Sequence, residues 1–454
     1  MAPGSEGGAR GKHFRRGATI ASLLALVVSA PAGAQASWPD WAPHLLAAQA
    51  TFIGQALTSF HSPYSGSHSL VATGDQEMTD TYGVYLGAGF GGGLHAYLDV
   101  EMARGEGIGH AVGLGGITNG DVIRQGTADL SRGPYVARLF LQYSIPLGRD
   151  SEPVERGADQ FPGWRPANRI DLAGGKLAAS DFFDLNRYAN STRQQFLDWG
   201  LFQNTAWDFA ADTRGYTYGL VVQWSHPVWT FRAGSFLMPT EANGNQFDTD
   251  IRRARGDNVE LELRPGAGGT VVRILGYHNA ARMGIYREAI ANAPPGASPD
   301  IAADDRPGRS KYGIGLNLEQ PLADSGETGA FLRAGWNDGK TESFAFTEVD
   351  REVSAGIQLT GRRWRRHDDR FGVALVLHGL SADHRDYLAL GGSGFLLGDG
   401  RLDYGLERIV EVYYRLDCWR LLQLSPDLQL IANPGYNRDR GPARVLGLRG
   451  AIRY

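Results

Sequence analysis

The chain has 454 residues, with 45 basic and 49 acidic side chains, 62 glycines, about 10% aromatic residues and a single cysteine, Cys418. This mildly acidic balance makes binding to nucleic acid a poor hypothesis. One cysteine also excludes an internal disulfide and a metal site made of cysteines, so backbone pairing and side-chain packing must stabilise the fold.

The N-terminal segment has the pattern of a secretory signal peptide. Four basic residues within the first 16 precede an apolar run from Ala18 to Ala30, and small residues follow. The run is too short for the ~20 residues that a spanning helix needs. Small residues at the cleavage positions allow a mature chain that begins at Gln35 or Ser37, and we predict Ser37. Removing residues 1–36 leaves 41 basic and 48 acidic side chains, a net charge of about -7.

Residues 37–454 show no division into domains. No linker or block of charge separates parts of this region, and no apolar run in it reaches the length of a spanning helix. A strand of a membrane barrel needs only ~9–11 residues of alternating character. We therefore predict that residues 37–454 form one domain built on a single closed sheet.

Short segments with alternating apolar and polar residues recur along the chain. They occur at 94–102, 135–143, 216–224, 259–263, 312–318, 353–359, 371–377 and 446–454. In the second segment, Tyr135 and Tyr143 end an apolar row that contains Leu139, and Arg138 lies on the opposite face. A soluble β-sandwich also alternates, but its outward face would be polar and its aromatic residues would not favour the ends of the rows.

The last segment has the clearest pattern. Leu446, Leu448 and Tyr454 share one face, and Arg449 and Arg453 lie on the other. A final strand that ends on an aromatic residue is typical of outer-membrane β-barrels, whose polar faces line the lumen.

The number of such segments predicts the size of the barrel. Counting from Gln49 gives 16 or 17, and single-chain bacterial barrels have even strand numbers, so we predict an all-β, transmembrane antiparallel β-barrel of about 16 strands. The surplus segment is either Gln49–Leu57 or Trp199–Phe209. A barrel of this size keeps an aqueous channel unless loops fold into it.

Three longer polar or glycine-rich connections, 104–134, 178–198 and 283–310, supply candidates for loops folded into the lumen. In the second of them, Asn190 and Ser191 predict the start of a short helix that runs through Gln194 and Leu197.

Several stretches of the mature chain resemble the carbohydrate-selective porins of the outer membrane, the OprB type. The matching stretches are residues 60–66 (FHSPYSG), 181–189 (DFFDLNRYA), 193–196 (RQQF), 212–216 (DTRGY), 336–344 (WNDGKTESF), 384–388 (HRDYL), 391–395 (GGSGF), 426–429 (PDLQ) and 433–435 (NPG). The resemblance implies a 16-stranded barrel of a Gram-negative outer membrane that passes sugars by diffusion through a loop-lined constriction. The chain departs from the family in ending on Tyr454 where Phe is commoner, and in lacking an added coiled-coil or cell-wall-binding segment.

A sugar channel needs hydrogen-bonding groups of both kinds, because hydroxyls accept from Arg and donate to Asp or Glu. The alternation places the following charged residues inward as candidates for lining the pore: Asp99, Glu101, Arg138, Arg169, Asp171, Arg232, Glu260, Glu262, Arg333, Glu407, Glu411 and Arg449. Lipid-facing Arg costs ~2–4 kcal/mol at mid-bilayer, which favours this placement. Each of these residues could instead only brace the wall through ion pairs.

The segment from Asp181 to Phe196 is our first candidate for a constriction loop, with residues 336–338 as a second contributor. The candidate residues are Asp181, Asp184, Asn186, Arg187, Tyr188, Arg193, Trp336, Asn337 and Asp338. The alternative is that these are ordinary exposed loops.

The sequence predicts no catalytic residue, no metal ligand and no cofactor. The expected partners are small sugars and outer-membrane lipid, with no nucleic acid, and both a homo-trimer and a monomer remain open. The leading hypothesis is passive, carbohydrate-preferring diffusion. The alternatives are a general porin without sugar preference, a barrel-type hydrolase that uses a serine near His378 such as Ser381, and a soluble exported β-sandwich or lectin.

Overall fold

The computed structural model describes residues 44–122, 130–266, 268–419 and 421–454. The predicted signal peptide and its cleavage sites lie outside these residues. The strands are β1 (Leu45–Leu57), β2 (Asp75–Gly89), β3 (Leu94–Gly105), β4 (Tyr135–Pro146), β5 (Ser151–Val154), β6 (Gly163–Pro166), β7 (Arg169–Leu177), β8 (Thr217–His226), β9 (Trp229–Leu237), β10 (Arg255–Leu263), β11 (Val271–Met283), β12 (Arg306–Ala323), β13 (Thr328–Asn337), β14 (Arg351–Gly361), β15 (Arg366–Gly379), β16 (Glu407–Trp419), β17 (Leu422–Ala432) and β18 (Ala443–Arg453).

The helices are short. They are α1 (Trp199–Phe202), α2 (Tyr286–Asn292) and α3 (Ala382–Ala389), with 3-10 turns at Ile108–Ala111, Ala179–Asp181, Ala302–Asp304, Asp324–Gly326, Arg362–Trp364 and Pro434–Tyr436. In the part of the chain that the structure describes, no helix is long and apolar enough to cross a membrane.

Within the described residues, sixteen strands close into one antiparallel barrel, and β5 and β6 form a separate hairpin. Each barrel strand pairs with its neighbours in the chain, except that β4 pairs with β7 across the inserted hairpin. The barrel closes where β1 pairs with β18, with Phe52 opposite Gly450 and Leu57 opposite Val445. Closure pairs every edge, as a sheet in lipid requires.

The predicted strand number is confirmed. The segment Gln49–Leu57 is part of β1, whereas Trp199–Phe209 forms no strand of the wall and begins with α1. The surplus segment in the sequence count was therefore the second of the two.

The two faces of the wall differ as the alternation predicts. Leu139, Leu220 and Leu448 on the outer face are 56%, 69% and 56% exposed, whereas Arg333 and Glu411 on the inner face are fully buried. An apolar outside with charges inside is the reverse of a soluble sandwich, so that alternative is wrong.

Aromatic pairs lie at both ends of the outer face. Trp224 and Trp229 pack edge to face with ring centroids 4.9 Å apart, and Tyr312 and Trp336 lie 5.8 Å apart at the opposite end. Amphipathic rings at these positions suit the two membrane interfaces.

Long and short connections alternate around the barrel. The connections that follow β1, β3, β7, β9, β11, β13, β15 and β17 are long and lie at one end, which we name the loop end. The opposite end, the turn end, has short connections except between β4 and β7, where residues 147–168 contain the β5–β6 hairpin. Long loops face the cell exterior in barrels of this kind.

The predicted helix through Gln194 and Leu197 is wrong. The N–H groups of Leu197 and Asp198 donate to the carboxylate of Glu411 at 2.6 and 2.9 Å, so a wall residue satisfies them instead of a helical turn. Helix α1 begins at Trp199, where the Asp198 side chain accepts a hydrogen bond from Gly200 N at 2.9 Å.

Candidate channel site

The connection between β7 and β8, residues 178–216, crosses the lumen and is named the plug segment. Near the loop end, Asp181 accepts two hydrogen bonds from the Arg138 guanidinium, at 2.6 and 2.7 Å. The hydroxyl of Tyr188 donates to Gly326 O at the turn end, at 2.8 Å. The segment then returns to the loop end, where Trp207 Nε1 donates to Asn258 Oδ1 at 2.8 Å.

Buried charges of the wall hold the backbone of the plug segment. Glu260 accepts from Asp184 N at 2.8 Å, and Arg449 donates to Thr192 O and Gln195 O at 2.5 and 2.7 Å. An irregular loop inside a barrel cannot satisfy its own backbone groups, so the wall must supply the partners.

A second loop between β3 and β4 also folds inward. Gln55 and Gln429, on two different strands, each donate to Thr118 O, at 2.9 and 2.8 Å. Glu407 accepts from Gly115 N at 3.1 Å. This loop touches the plug segment, because Trp199 N donates to Ile117 O at 3.0 Å.

The two infolded loops and strands β2, β3 and β4 enclose a cavity of about 310 Å³, which we name the plug cavity. It is lined by Thr81, Glu101, Met102, Ala103, Gly120, Asp121, Val122, Tyr135, Arg138, Ala178, Ser180, Asp181, Asn190, Ser191, Thr192, Arg193, Trp199, Phe202, Gln203, Phe209, Arg214, Gly215 and Tyr216.

Glu101 is the centre of a hydrogen-bond network at this cavity. Its carboxylate accepts from the hydroxyl of Tyr216 at 2.5 Å, from that of Tyr85 at 3.0 Å and from Arg193 Nη1 at 3.1 Å. Arg193 also donates through Nε to Asp121 at 2.8 Å. A network of this kind fixes the side chains at the cavity wall.

The described residues that line the plug cavity carry balanced charge. They include three guanidinium groups, of Arg138, Arg193 and Arg214, and three carboxylates, of Glu101, Asp121 and Asp181.

Aromatic rings share this lining. The rings of Trp199 and Phe202 lie 5.0 Å apart, and Arg214 lies 4.5 Å from the ring of Tyr135. Donors, acceptors and ring faces in one cavity match the surface of a sugar, which has hydroxyls at its rim and apolar C–H faces.

Asp198 is a titratable group of the plug segment itself. Burial raises the pKa of this carboxyl to about 7, against the opposing effects of His378 and of the bond from Gly200 N. The plug segment therefore contains an acid that gains its charge near neutral pH.

All twelve predicted pore-lining residues lie on the inner face of the wall, but the contacts of most of them are with the wall or the loops. Glu101 and Arg138 line the plug cavity, and Asp99 lies behind them, accepting from Arg138 at 3.1 Å. The plug segment is held by Glu260, Arg333, Glu411 and Arg449, and the β3–β4 loop by Glu407. The remaining residues form ion pairs along the wall: Arg169 with Asp171 at 2.8 Å, and Arg232 with Glu262 at 2.9 Å.

The bracing role is thus directly visible in these contacts. Contact between any of the twelve residues and a passing solute stays a prediction.

The constriction candidates are spread along the barrel. Asp181 and Arg193 line the plug cavity, whereas Asp184 and Asn186 are buried against Asn317, at 2.7 and 2.8 Å. Arg187 lies at the turn end, 3.1 Å from Glu327, next to Tyr188.

The second group of constriction candidates, 336–338, is not part of the lining of the plug cavity. Asn337 points inward and donates to Ala206 O of the plug segment at 3.1 Å, and Asp338 N donates to Tyr312 O at 3.1 Å. Trp336, named as a constriction candidate, does not point into the lumen. It lies on the outside beside Tyr312, because it is an even number of residues from outward Leu332.

Sequence reasoning missed several residues that line the plug cavity, chiefly Asp121, Trp199, Phe202, Arg214 and Tyr216. Tyr135 and Tyr216 were both placed in outward apolar rows, yet both line the cavity. Tyr216 precedes β8 and its hydroxyl donates to Glu101, and Tyr135 lies beyond a bulge in the pairing of β3 with β4. Asp121 and Arg214 lie in loops and Trp199 and Phe202 in helix α1, where no period-two alternation indicates a direction. The stretch DTRGY at 212–216 was the one signal available, and it was used only as a mark of resemblance.

The serine proposed for hydrolysis has another role. Ser381 Oγ donates to Gly339 O at 2.6 Å and accepts from His384 N at 3.1 Å, as the N-cap of α3. His378 Nδ1 faces Glu407 at 3.1 Å. These contacts give no support to a nucleophile and base pair.

A closed sixteen-stranded barrel with an apolar outside, a charged inside and loops folded into the lumen defines the class of outer-membrane porins. A family model described as carbohydrate-selective porin, OprB family, matches residues 84–454. The chain belongs to this family, and it is a channel of the outer membrane that prefers sugars.

A solved structure with a TM-score above 0.5 supports the fold. The high-pH structure of Pseudomonas putida OprB is similar with a TM-score of 0.67 and 14% identity, covering 90% of this chain and 94% of that chain. The outer membrane channel DcaP of Acinetobacter baumannii gives a TM-score of 0.48 and 9% identity, covering 90% of this chain and 96% of that chain. Comparison with curated protein sequences finds no match.

Proposed function

We propose that small neutral sugars pass through this protein by diffusion along the plug cavity, and that the side chains around Glu101 and Arg193 form its selective contact. The observation that carries this proposal is the balanced lining of three guanidinium groups and three carboxylates beside aromatic rings. Without a net excess of charge, the lining offers little attraction to either ion, while its donors and acceptors can replace the water around a sugar hydroxyl.

Arg193 is the residue on which we base the test. It reaches the cavity from the plug segment and its guanidinium is held by Asp121 and Glu101, so its remaining N–H groups have a fixed direction. Replacing Arg193 by Gln removes the charge and the rigid fork and leaves a shorter, neutral side chain with one amide group.

The experiment measures single-channel conductance in planar bilayers while D-glucose, mannitol or a disaccharide is added. For the wild-type protein we expect conductance to fall as the preferred sugar binds. For Arg193→Gln we expect the half-blocking sugar concentration to rise ~10-fold. This factor corresponds to the loss of one charged hydrogen bond of about 1.5 kcal/mol.

Arg187→Gln is the matched control. Arg187 is in the same segment but bonds to Glu327 at the turn end and does not line the cavity. The half-blocking sugar concentration of this variant should therefore equal that of the wild type. A conductance that stays flat across the sugars would leave a general porin without preference.

Export and assembly complete the proposal. We infer that residues 1–36 direct export and are removed before Ser37. The homo-trimer and the monomer remain equal alternatives, since the closed barrel pairs its own strand edges without a partner.

A further inference from the structure

A second cavity lies at the loop end, beneath the loops that follow β9, β11, β13 and β15. It has a volume of about 320 Å³ and is named the loop-end cavity. Tyr286, Phe395, Ala242, Glu342 and Glu348 are among its lining residues. No described residue lines both this cavity and the plug cavity.

A thin wall separates the two cavities. Ser343 and Glu348 line the loop-end cavity, and between them in the chain Phe346 stacks on Trp199 of the plug cavity with ring centroids 4.6 Å apart. The loop between β13 and β14 thus lines the loop-end cavity and packs against a lining residue of the plug cavity.

Tyr286 is the most informative residue of the loop-end cavity. It is 1% exposed, and its ring stacks on His384 at 4.4 Å. Its hydroxyl has no hydrogen-bond partner among the residues that the structure describes. Neighbouring Tyr387 shows the usual arrangement, since its hydroxyl donates to Ser393 O and accepts from Ile301 N, both at 3.0 Å. A buried hydroxyl without a partner is costly, so this one is suited to a polar ligand.

The carboxylates of the cavity are held in place. Glu348 accepts from Leu396 N at 2.8 Å and from Leu397 N at 2.7 Å, and Glu342 accepts from Gly284 N at 2.6 Å. The loop approaches Glu348 closely at Gly394, where a Cβ atom would lie 1.7 Å from Glu348 Oε1. A larger side chain at position 394 would displace this carboxylate from the two backbone N–H groups that hold it.

Burial raises the pKa of Glu342 to about 7. Near neutral pH this carboxyl therefore exists in part as the acid, which can donate a hydrogen bond as well as accept one.

We propose that the loop-end cavity is a docking site for a neutral monosaccharide that enters from the outside before it reaches the plug cavity. Its volume is at the small end of the ~300–1,000 Å³ typical of ligand sites, which favours one sugar ring. Phe395 is an aromatic part of the lining, and the carboxylates and the Tyr286 hydroxyl bind sugar hydroxyls. The lining has five Asp or Glu residues and one Arg, which disfavours anionic sugars.

This inference rests on the proposed function, because a docking site matters only if sugar passes the channel. The test compares the rate at which D-glucose blocks single channels of known orientation when it is added at the loop end or at the turn end. For Tyr286→Phe we expect the association rate from the loop end to fall ~5-fold, the equivalent of one hydrogen bond of about 1 kcal/mol, with the rate from the turn end unchanged.

Tyr286→Phe removes a hydroxyl that bonds to no described residue, so it should fold like the wild type. Ala242→Trp, which fills the cavity, should give the same loss. Tyr312→Phe is the control, since Tyr312 lies on the outer face of the same end and is 48% exposed.

The outcomes separate the two proposals. If D-glucose blocks the wild type but both cavity variants keep its loop-end rate, the docking site is disproved and the proposed function stands. If D-glucose blocks neither the wild type nor any variant, the proposed function fails. Saturation-transfer NMR then tests the docking site by itself, because D-glucose should bind to the wild type and this binding should be lost in Tyr286→Phe. Tighter binding of glucuronate or of lysine than of D-glucose would overturn the assignment to neutral sugars.

Discussion

Arg333 shows how a single wall residue holds the plug segment. Its guanidinium lies 3.0 Å from the Asp184 carboxylate and donates to Ala189 O at 2.7 Å and to Leu201 O at 3.2 Å. These three partners are distant parts of the plug segment. One planar fork therefore joins the descending and the returning halves of the loop, a task for which Lys lacks the geometry.

We expect Arg333→Met to destabilise the barrel by ~3–5 kcal/mol, because it leaves the buried Asp184 carboxylate without its positively charged partner and removes a donor from two carbonyls. The released plug segment should also make the single-channel current noisier. Unfolding followed by circular dichroism, together with bilayer recording, measures both effects.

Arg187→Met provides the comparison. The ion pair of Arg187 with Glu327 is 45% and 43% exposed, so its loss should cost less than ~1 kcal/mol. Equal losses for the two variants would show that Arg333 does not anchor the plug segment.

The direction of a wall side chain can be predicted from the sequence more easily than its binding partner. The inward direction of Glu260, Arg333 and Glu411 follows from period-two alternation, and the structure places all three inside. Their partners could not be predicted in this way, because these three residues bind backbone groups of a loop that is more than 70 residues away in the chain. Alternation gives the direction of a side chain but not what fills the space opposite it.

At the scale of elements, the glycines of the wall take part in positioning the plug segment. A Cβ atom at Gly329 would lie 2.1 Å from the ring of Tyr188, and one at Gly335 would lie 2.2 Å from Asn204 Oδ1. Side chains at these positions would push the plug segment away from the wall. Part of the high glycine content therefore reflects room for an infolded loop.

The β5–β6 hairpin is the element that sequence analysis did not anticipate. It lies at the turn end, where Phe161 packs 4.9 Å from His95 and 5.9 Å from Tyr97 of the inner wall. Glu152 pairs with Arg169 at 3.2 Å. Two four-residue strands are too short to give a distinct alternation, which explains the omission. The hairpin connection covers part of the turn-end mouth.

Deleting residues 151–166 should therefore raise conductance, by up to ~2-fold if this mouth contributes much of the resistance. The deletion joins Asp150 to Ala167, and Ala167 N already donates to Asp150 O at 2.8 Å, so the shortened turn fits the wall. Bilayer recording gives the measurement.

Trp164→Ala serves as the control for the hairpin. Trp164 is 73% exposed and should leave conductance unchanged. If the deletion variant also conducts like the wild type, the hairpin does not narrow the path.

For the whole molecule, the closed barrel, its strand number and the apolar outer face were predictable, because each strand carries the same local signal and closure follows from the need to pair edges in lipid. The plug cavity was not predictable in the same way. Its lining combines strands with residues such as Trp199 and Arg214 from an irregular loop, and the path of that loop depends on many separate hydrogen bonds. The pattern thus predicts the wall but not the shape of the channel.

The segregation of the two faces leads to a depth-dependent prediction. Leu448 lies in the middle of β18, opposite Gly54, and is 56% exposed, whereas Leu322 lies one residue from the end of β12 and is 61% exposed. Both are outward leucines of similar exposure at different depths. An arginine near the midplane costs ~2–4 kcal/mol, and one near the interface costs ~0–1 kcal/mol because its side chain reaches water.

We therefore expect Leu448→Arg to lower the stability of the barrel in lipid vesicles by ~2–4 kcal/mol, and Leu322→Arg to lower it by less than ~1 kcal/mol. Denaturant unfolding from vesicles measures the difference. In detergent micelles, whose apolar layer deforms more easily, the gap between the variants should shrink. Equal costs at both positions in vesicles would mean that the outer face of β18 does not lie in hydrocarbon, and the orientation of the barrel wall would have to be revised.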